Sequence, residues 1–187
     1  MRLLFLAMPY DAPADAGAAQ THRIAEELAR RGHTVHALCA PWQPGLPRQE
    51  VRRGVLIHRV AGRPAAALPA LRDLLERTDV LVVQLPFAAV LLAVLVARRL
   101  GVTTLLHHVG DPPVVDGAAR TPAALVRTAL TVLAGRLAAG VIAPSPAEAA
   151  ESEVLRPLWD ALHFVDPEAP AAAHVEALLR RAHDGTL

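Results

Sequence analysis

The sequence contains no lysine: all 19 basic residues are arginine, set against 18 acidic ones, for a formal net charge of +1. A nearly neutral chain carries no electrostatic footprint for nucleic acid, so that partner class is set aside. The missing lysine and the abundant alanine read as base composition rather than chemistry. A single cysteine, Cys39, excludes an internal disulfide and any CxxC metal site, and is compatible with a reducing cytoplasm. No GxGxxG is present, and no GxSxG surrounds Ser145. A dinucleotide fingerprint and a hydrolase nucleophile elbow are therefore both missing, and Ser145 is expected to cap a helix. There is no fixed-period repeat.

Uninterrupted apolar runs of membrane-spanning length are lacking too, although 53% of the residues are hydrophobic and the mean hydropathy is +0.31. "MRLLFLAMPY" offers one arginine and six apolar residues before Pro9, too short for a secretory signal and suited to a buried first strand. The longest run, "VLVVQLPFAAVLLAVLVA" at 80–97, is broken by Gln84 and Pro86. A spanning helix needs about 20 apolar residues, and a proline here fits the handover from strand to helix. A soluble, cytoplasmic chain is expected.

What is present is alternation. Apolar runs at 2–8, 34–40, 79–85, 102–108 and 141–144 read as strands, and 55–61 as a strand with one wetter face. Between them, 18–33, 66–78, 87–101 and 122–140 read as helices, with Gly32 a C-terminal stop and Thr121–Pro122 a helix start. The segment 41–54, with three prolines and two glycines, reads as a loop, 147–162 as a helix and 163–173 as a linker before a last short helix. Strand–helix alternation at this spacing predicts an α/β fold: a single doubly wound, mostly parallel sheet with helices on both faces. At 187 residues this is one domain, 1–165, followed by a linker and C-terminal helix at 166–187.

In such sheets ligands bind beyond the carboxyl ends of the strands, which directs attention to 9–20, 84–87, 107–117 and 144–148. Gly17 stands between the first strand and a helix N-terminus, where free amides and the helix dipole suit an anion; it equally suits a plain turn. His107 and His108 end a strand with Asp111 close by. Adjacent residues of a regular strand point to opposite faces, so the pair serves one site only if the strand stops before them. Otherwise one faces the core and the other solvent. Two diverging histidines are poor ligands for zinc, and no metal site is expected. "HRIAEELARRGH" (22–33) reads as a solvated helix face. Arg120, Arg127 and Arg136 flank the apolar face of their helix, where they serve as a solvated rim or touch anionic lipid headgroups.

Taken in order, these segments resemble family 4 glycosyltransferases of the GT-B fold. "RLLFLAMPYDAPADAGAAQTHRIAEELARRGHTVHALCAP" is similar to that family's opening strand, Gly-Gly loop, "rRGHeV" helix end and second strand. "RRGVLIHRVAG" resembles its "dGvrVhRvp" hairpin region, "DVLVVQLPFAAVLLAVLVARRLGVTTLLHHVGD" its "DvvhaHsPfaallallaarllgvPvvltvHGd", and "RLAAGVIAPSPAEA" its "rrAdaVIavSea". The resemblance covers about residues 1–150. It implies the acceptor-binding, Rossmann-like half of a retaining, metal-independent transferase, with Ala16–Gly17 in place of the Gly-Gly loop and Gln84 in place of the histidine of "haHsP". The family's "tvHG" histidine falls on Val109 without a gap and on His108 if the register shifts by one. The resemblance thus implies catalytic roles for His108 and Asp111, and substrate binding by Ala16, Gly17, Gln84, His107 and Gly110. The nucleotide-sugar donor belongs to a second domain for which nothing after 150 supplies a sheet, so a separate donor-binding domain or subunit is the expected partner. The alternative is a non-catalytic interaction module derived from such a domain, as a homodimer. Peripheral membrane contact is a further, minor expectation.

Overall fold

Strands such as "VLVVQL" have no face that water could solvate, and the computed structural model of the chain, which describes residues 1–6, 16–62, 64–110, 121–165 and 171–187, covers both faces of them. In chain order the elements are β1 (Arg2–Leu6), α1 (Ala16–Arg30), β2 (Thr34–Cys39), β3 (Gln49–Arg52), β4 (Val55–Arg59), α2 (Leu68–Leu75), β5 (Val80–Leu85), α3 (Val90–Arg99) and β6 (Thr103–His108). There follow α4 (Pro122–Leu137), β7 (Gly140–Ala143), α5 (Pro146–Glu151), β8 (Leu162–Phe164) and α6 (Ala171–His183). The strands form one sheet in the order β3-β4-β2-β1-β5-β6-β7-β8. Every neighbouring pair is parallel except the β3–β4 hairpin.

Alternation along each strand sorts the core into two layers. Leu3, Phe5, Val80, Val82 and Leu105 meet α1 and α6 on one face. Leu4, Leu6, Leu81, Val83 and Leu106 meet α2, α3 and α4 on the other. Every residue of β5 is buried, and burying an aliphatic side chain contributes about 1.5–3 kcal/mol. The two middle strands are also tied at their starts: the Arg2 backbone N–H donates to Asp79 Oδ2 at 2.7 Å, its guanidinium pairs with Oδ1, and this holds the Asp79 carboxyl below its usual range.

Four expectations need correction. The segment 41–54 is not all loop, because Gln49–Arg52 pairs antiparallel with β4. The hairpin turns at Arg53 (φ 47°) and Gly54 (φ 87°), both left-handed, as a two-residue turn between twisted strands requires. The helix expected over 147–162 stops at Glu151, where Ser152 turns extended and its Oγ accepts from Val154 N–H at 3.2 Å and Leu155 N–H at 3.1 Å. The expected linker instead begins as β8, parallel to β7. Fourthly, the polar side of "HRIAEELARRGH" is not wholly solvated: Ile24 and Leu28 are buried as their spacing implies, but so are His22, Glu26 and His33. Thr121 and Ser145 cap α4 and α5, accepting from the N–H groups of Ala124 and Glu148 at 3.2 Å each.

The last helix is fastened to the first. Val175, Leu178, Leu179 and Ala182 of α6 pack into the layer holding Ile24 and Leu28 of α1. Above them Glu176 accepts from Arg180 at 2.8 Å, from His33 Nε2 at 3.1 Å and from Arg31 at 3.3 Å. The Arg180 and His33 hydrogen bonds, the two largest causes, draw the Glu176 carboxyl down to about 2. A folded value below the unfolded one means a contribution present above about pH 4.5 and lost as pH falls toward 2. Because the cluster is solvent-screened, Glu176→Gln is expected to cost only about 1 kcal/mol near neutral pH. Urea unfolding across pH checks this: the gap between wild type and variant should close as pH approaches about 2.

Candidate functional site

The sheet reverses direction of growth between β1 and β5, since β2 and β4 lie to one side and β6 to β8 to the other. Ligand-binding crevices open at the carboxyl ends of the strands at such a point. Here those ends are Leu6, Leu85 and His108. In the otherwise apolar β5, Gln84 is the one polar side chain, and it stands in register with His107 on β6, about 4.8 Å away across the ladder.

Alternation decides where the two histidines go. Leu105 faces α1 and Leu106 faces α3, so His107 returns to the α1 face and His108 to the α3 face. His107 Nδ1 lies 3.1 Å from Thr21 Oγ1 of α1, confirming that orientation. Neither histidine reaches solvent: each is 4% exposed, against the expectation that one would be wet. Burial, and secondly the neighbouring His108, pushes the His107 imidazole down to about 4. At neutral pH it is therefore an uncharged ring that exchanges one hydrogen bond with Thr21.

Thr21 also locates the start of the helix. It lies five residues into α1, about 7.5 Å along the axis, so the first turn overhangs the end of β6. Ala16 and Gly17 are the first two residues of α1, not part of a loop ahead of it. An N-terminus at that place turns unpaired amides and the positive end of the helix dipole toward the crevice. On the other side the Leu85–Pro86 peptide is cis. Gly110 leaves β6 with φ 141°, a backbone state that favours glycine.

The structure thus brings together Gln84, His107, Gly110 and the first helical turn at Ala16 and Gly17 at one end of the sheet, with His108 beneath on the opposite face. Asp111 and Arg120 lie outside the described residues, as do the 7–15 and 166–170 segments. Two residues not singled out from the sequence, Thr21 and His22, are buried at this end of α1. Thr21 shares the i, i+3, i+4, i+7 stripe of Ile24, Ala25 and Leu28, the periodic signal that could have identified it. Among the described residues no group of three or more His, Cys, Asp or Glu is placed to hold a metal ion. A depression of about 450 Å³ lined by Leu75, Asp79, Gly101 and His183 lies at the opposite end of the sheet, where β5 and β6 begin.

Comparison with known proteins agrees with this architecture. The sequence model of the family described as Glycosyltransferase Family 4 matches residues 17–158. Among solved structures, the chain resembles sucrose-phosphate synthase from Thermosynechococcus elongatus, with 15% identity, a TM-score of 0.57, and coverage of 88% of this chain and 47% of that one. A shorter chain of the same synthase is matched over 100% of both, with 12% identity and a TM-score of 0.60. UDP-GlcNAc 2-epimerase from Methanocaldococcus jannaschii gives 17% identity and a TM-score of 0.52, over 88% of this chain and 45% of that one. The chain therefore spans about half the length of the full synthase, and at these identities the likeness is one of fold. No curated protein matches it by sequence.

The buried imidazole makes a prediction about acid. With a folded value of about 4 against about 6.5 unfolded, His107 binds fewer protons folded than unfolded between those limits. Its contribution should erode as pH falls from about 6.5 to about 4 and level off below, a loss on the order of 3 kcal/mol. His107→Gln should flatten that part of the stability–pH curve. Thr21→Val, which removes the ring's hydrogen-bond partner, should lower stability by about 1–2 kcal/mol without removing the slope. Denaturant unfolding of the three proteins between pH 4 and 7 measures both effects.

Proposed function

Because the chain belongs to glycosyltransferase family 4, we propose that it is the acceptor-binding half of a retaining, nucleotide-sugar-dependent glycosyltransferase, completed by a separate donor-binding domain or subunit. The observation that carries this reading is the polar end of the sheet: Gln84 and the neutral His107 in register, beneath the overhanging first turn of α1. Neutral amide and imidazole groups exchange hydrogen bonds with sugar hydroxyls without the desolvation cost of a buried ion. Ala16, Gly17, Gln84, His107 and Gly110 bind the acceptor in this scheme. His108, the last residue of β6, and Asp111, which lies outside the described residues, take the catalytic roles in it.

In the reaction an acceptor hydroxyl oxygen forms a bond to the anomeric carbon while the bond from that carbon to the diphosphate breaks. The hydroxyl proton leaves with the departing phosphate. Holding the acceptor hydroxyl on the same face of the donor sugar as the departing diphosphate supplies most of what such a site offers, and stabilising the diphosphate charge falls largely to the donor-binding domain.

Transfer from a nucleotide-sugar, followed by release of the nucleoside diphosphate, tests the reading. The chain by itself is expected to give no turnover, and the chain mixed with a donor-binding partner is expected to give transfer. Turnover by the isolated chain would sink the half-enzyme assignment. In the reconstituted pair, Gln84→Ala and His107→Ala should weaken acceptor binding by about tenfold or more, the loss of one to two hydrogen bonds to a buried ligand. Calorimetric titration showing no effect of either would remove these residues from the site, and no acceptor binding by the pair would favour the non-catalytic module.

A further inference from the structure

The helices that shield the sheet on the side away from α1 are themselves left bare. α3 and α4 pack against each other on that face. α4 is seated by Thr131, Ala134 and Gly135, the last so close to Leu158 that a β-carbon would collide with it. Its amino-terminal half points outward, with Leu125 56% and Val126 58% exposed. Leu130 and Leu133 of α4 and Leu92 and Leu95 of α3 are exposed as well. Two adjacent helices each presenting bare leucines exceed the scattered apolar residues of an ordinary surface.

The charges around these leucines have one sign. α3 and α4 contain four arginines, Arg98, Arg99, Arg127 and Arg136, and no aspartate or glutamate. All four are exposed and make no ion pair among the described residues. Elsewhere on the described surface several arginines are met by carboxylates, as in Arg2–Asp79, Arg53–Glu26 and Arg180–Glu176. An apolar stripe rimmed by arginine alone is the pattern of a helix lying in a lipid headgroup layer, with leucines down and guanidinium groups on phosphates. We propose that the α3–α4 face docks this protein on an anionic lipid surface.

Neither of two other occupants fits as well. No described helix is long and apolar enough to cross a bilayer; the 16 residues of α4 reach about 24 Å against a hydrocarbon core of about 30 Å. A second copy of the chain docked by a two-fold axis would bring the same arginines toward each other with no carboxylate on either helix to meet them. A phosphate-bearing surface supplies the missing negative charge. The inference is independent of the sugar-transfer reading, because vesicle binding needs neither donor nor acceptor.

Flotation of the full chain with vesicles of phosphatidylcholine and phosphatidylglycerol, against vesicles of phosphatidylcholine alone, is the test. Recovery with the anionic vesicles is expected, falling as salt is raised. The double variant Leu125→Gln, Val126→Gln should lower the partition coefficient about tenfold or more. Arg127→Gln and Arg136→Gln should each lower it about fivefold on anionic vesicles only. These side chains are solvent-exposed, so unchanged circular dichroism is expected and separates lost binding from lost fold. Absence of flotation, or flotation untouched by the variants, overturns the proposal. So does sedimentation showing, without vesicles, a dimer that Leu125→Gln, Val126→Gln dissociates, which assigns the face to a second copy.

Discussion

The whole structure depends on a parallel sheet that must be kept dry on both faces. With strands as apolar as "RLLFL" and "VLVVQL", one layer of helices leaves half of each strand in water, so α1 and α6 on one side are as obligatory as α2, α3 and α4 on the other. The same constraint makes buried polar side chains informative, since each has to be satisfied inside the protein. In the central strands Gln84, His107 and His108 stand at or next to the last residue, at the open end of the switch point, while Thr104 is buried near the start of β6. At the other end of the same strands the polar chemistry is of another kind: Arg2 and Asp79 fasten β1 to β5 near the surface. One end of the sheet is pinned and the other is polar and overhung by a helix terminus.

That constraint is also why the central fold could be read from the residues. Strands buried on both faces have to be apolar throughout, and β1, β2, β5 and β6 each fall inside the run expected for them, while β7 starts one residue ahead of its run. The edges follow no such rule. β3 reads "QEVR" and is mostly exposed, so its pairing is set by β4 and by a turn through Arg53 and Gly54, not by any hydrophobic pattern of its own. β8 has three half-buried residues, and its preceding segment carries helix-favouring alanine and glutamate up to Ser152, where a side-chain hydrogen bond starts a new turn. Propensity extended the helix across that point, and local side-chain chemistry ended it.

The site was legible in one respect and obscure in another. Strand alternation alone sends His107 and His108 to opposite faces, and the structure has them so, His107 against Thr21 and His108 on the α3 side. Their complete burial was not legible, because it depends on helices far away in the chain closing over the strand end. The same is true of His22 and Glu26: charge and polarity suggested a wet face of α1, whereas the helix is rotated so that both are covered, Glu26 beneath the hairpin residue Arg53. Helix rotation is fixed by what packs against the helix, and that information is spread over β4, β6 and α6.

A neutral His107 constrains what the crevice can hold. Since its imidazole stays uncharged at physiological pH, the positive potential that the described residues offer there comes from the amino end of α1, a partial charge of about half a unit that fades within a turn. Such a site is too weakly positive to hold a diphosphate without further cations. It suits hydroxyl-rich groups that need directional hydrogen bonds more than charge. In the proposed half-enzyme this division is the natural one, with the charged leaving group handled across the crevice and the acceptor handled here. The arginines of α3 and α4 do not alter it, because they lie on the outer surface of the layer that covers one sheet face, not at the strand ends. In these two proposals charge and hydrogen bonding are assigned to different surfaces: the strand ends to neutral polar groups, and the arginine-rimmed helices to an anionic one.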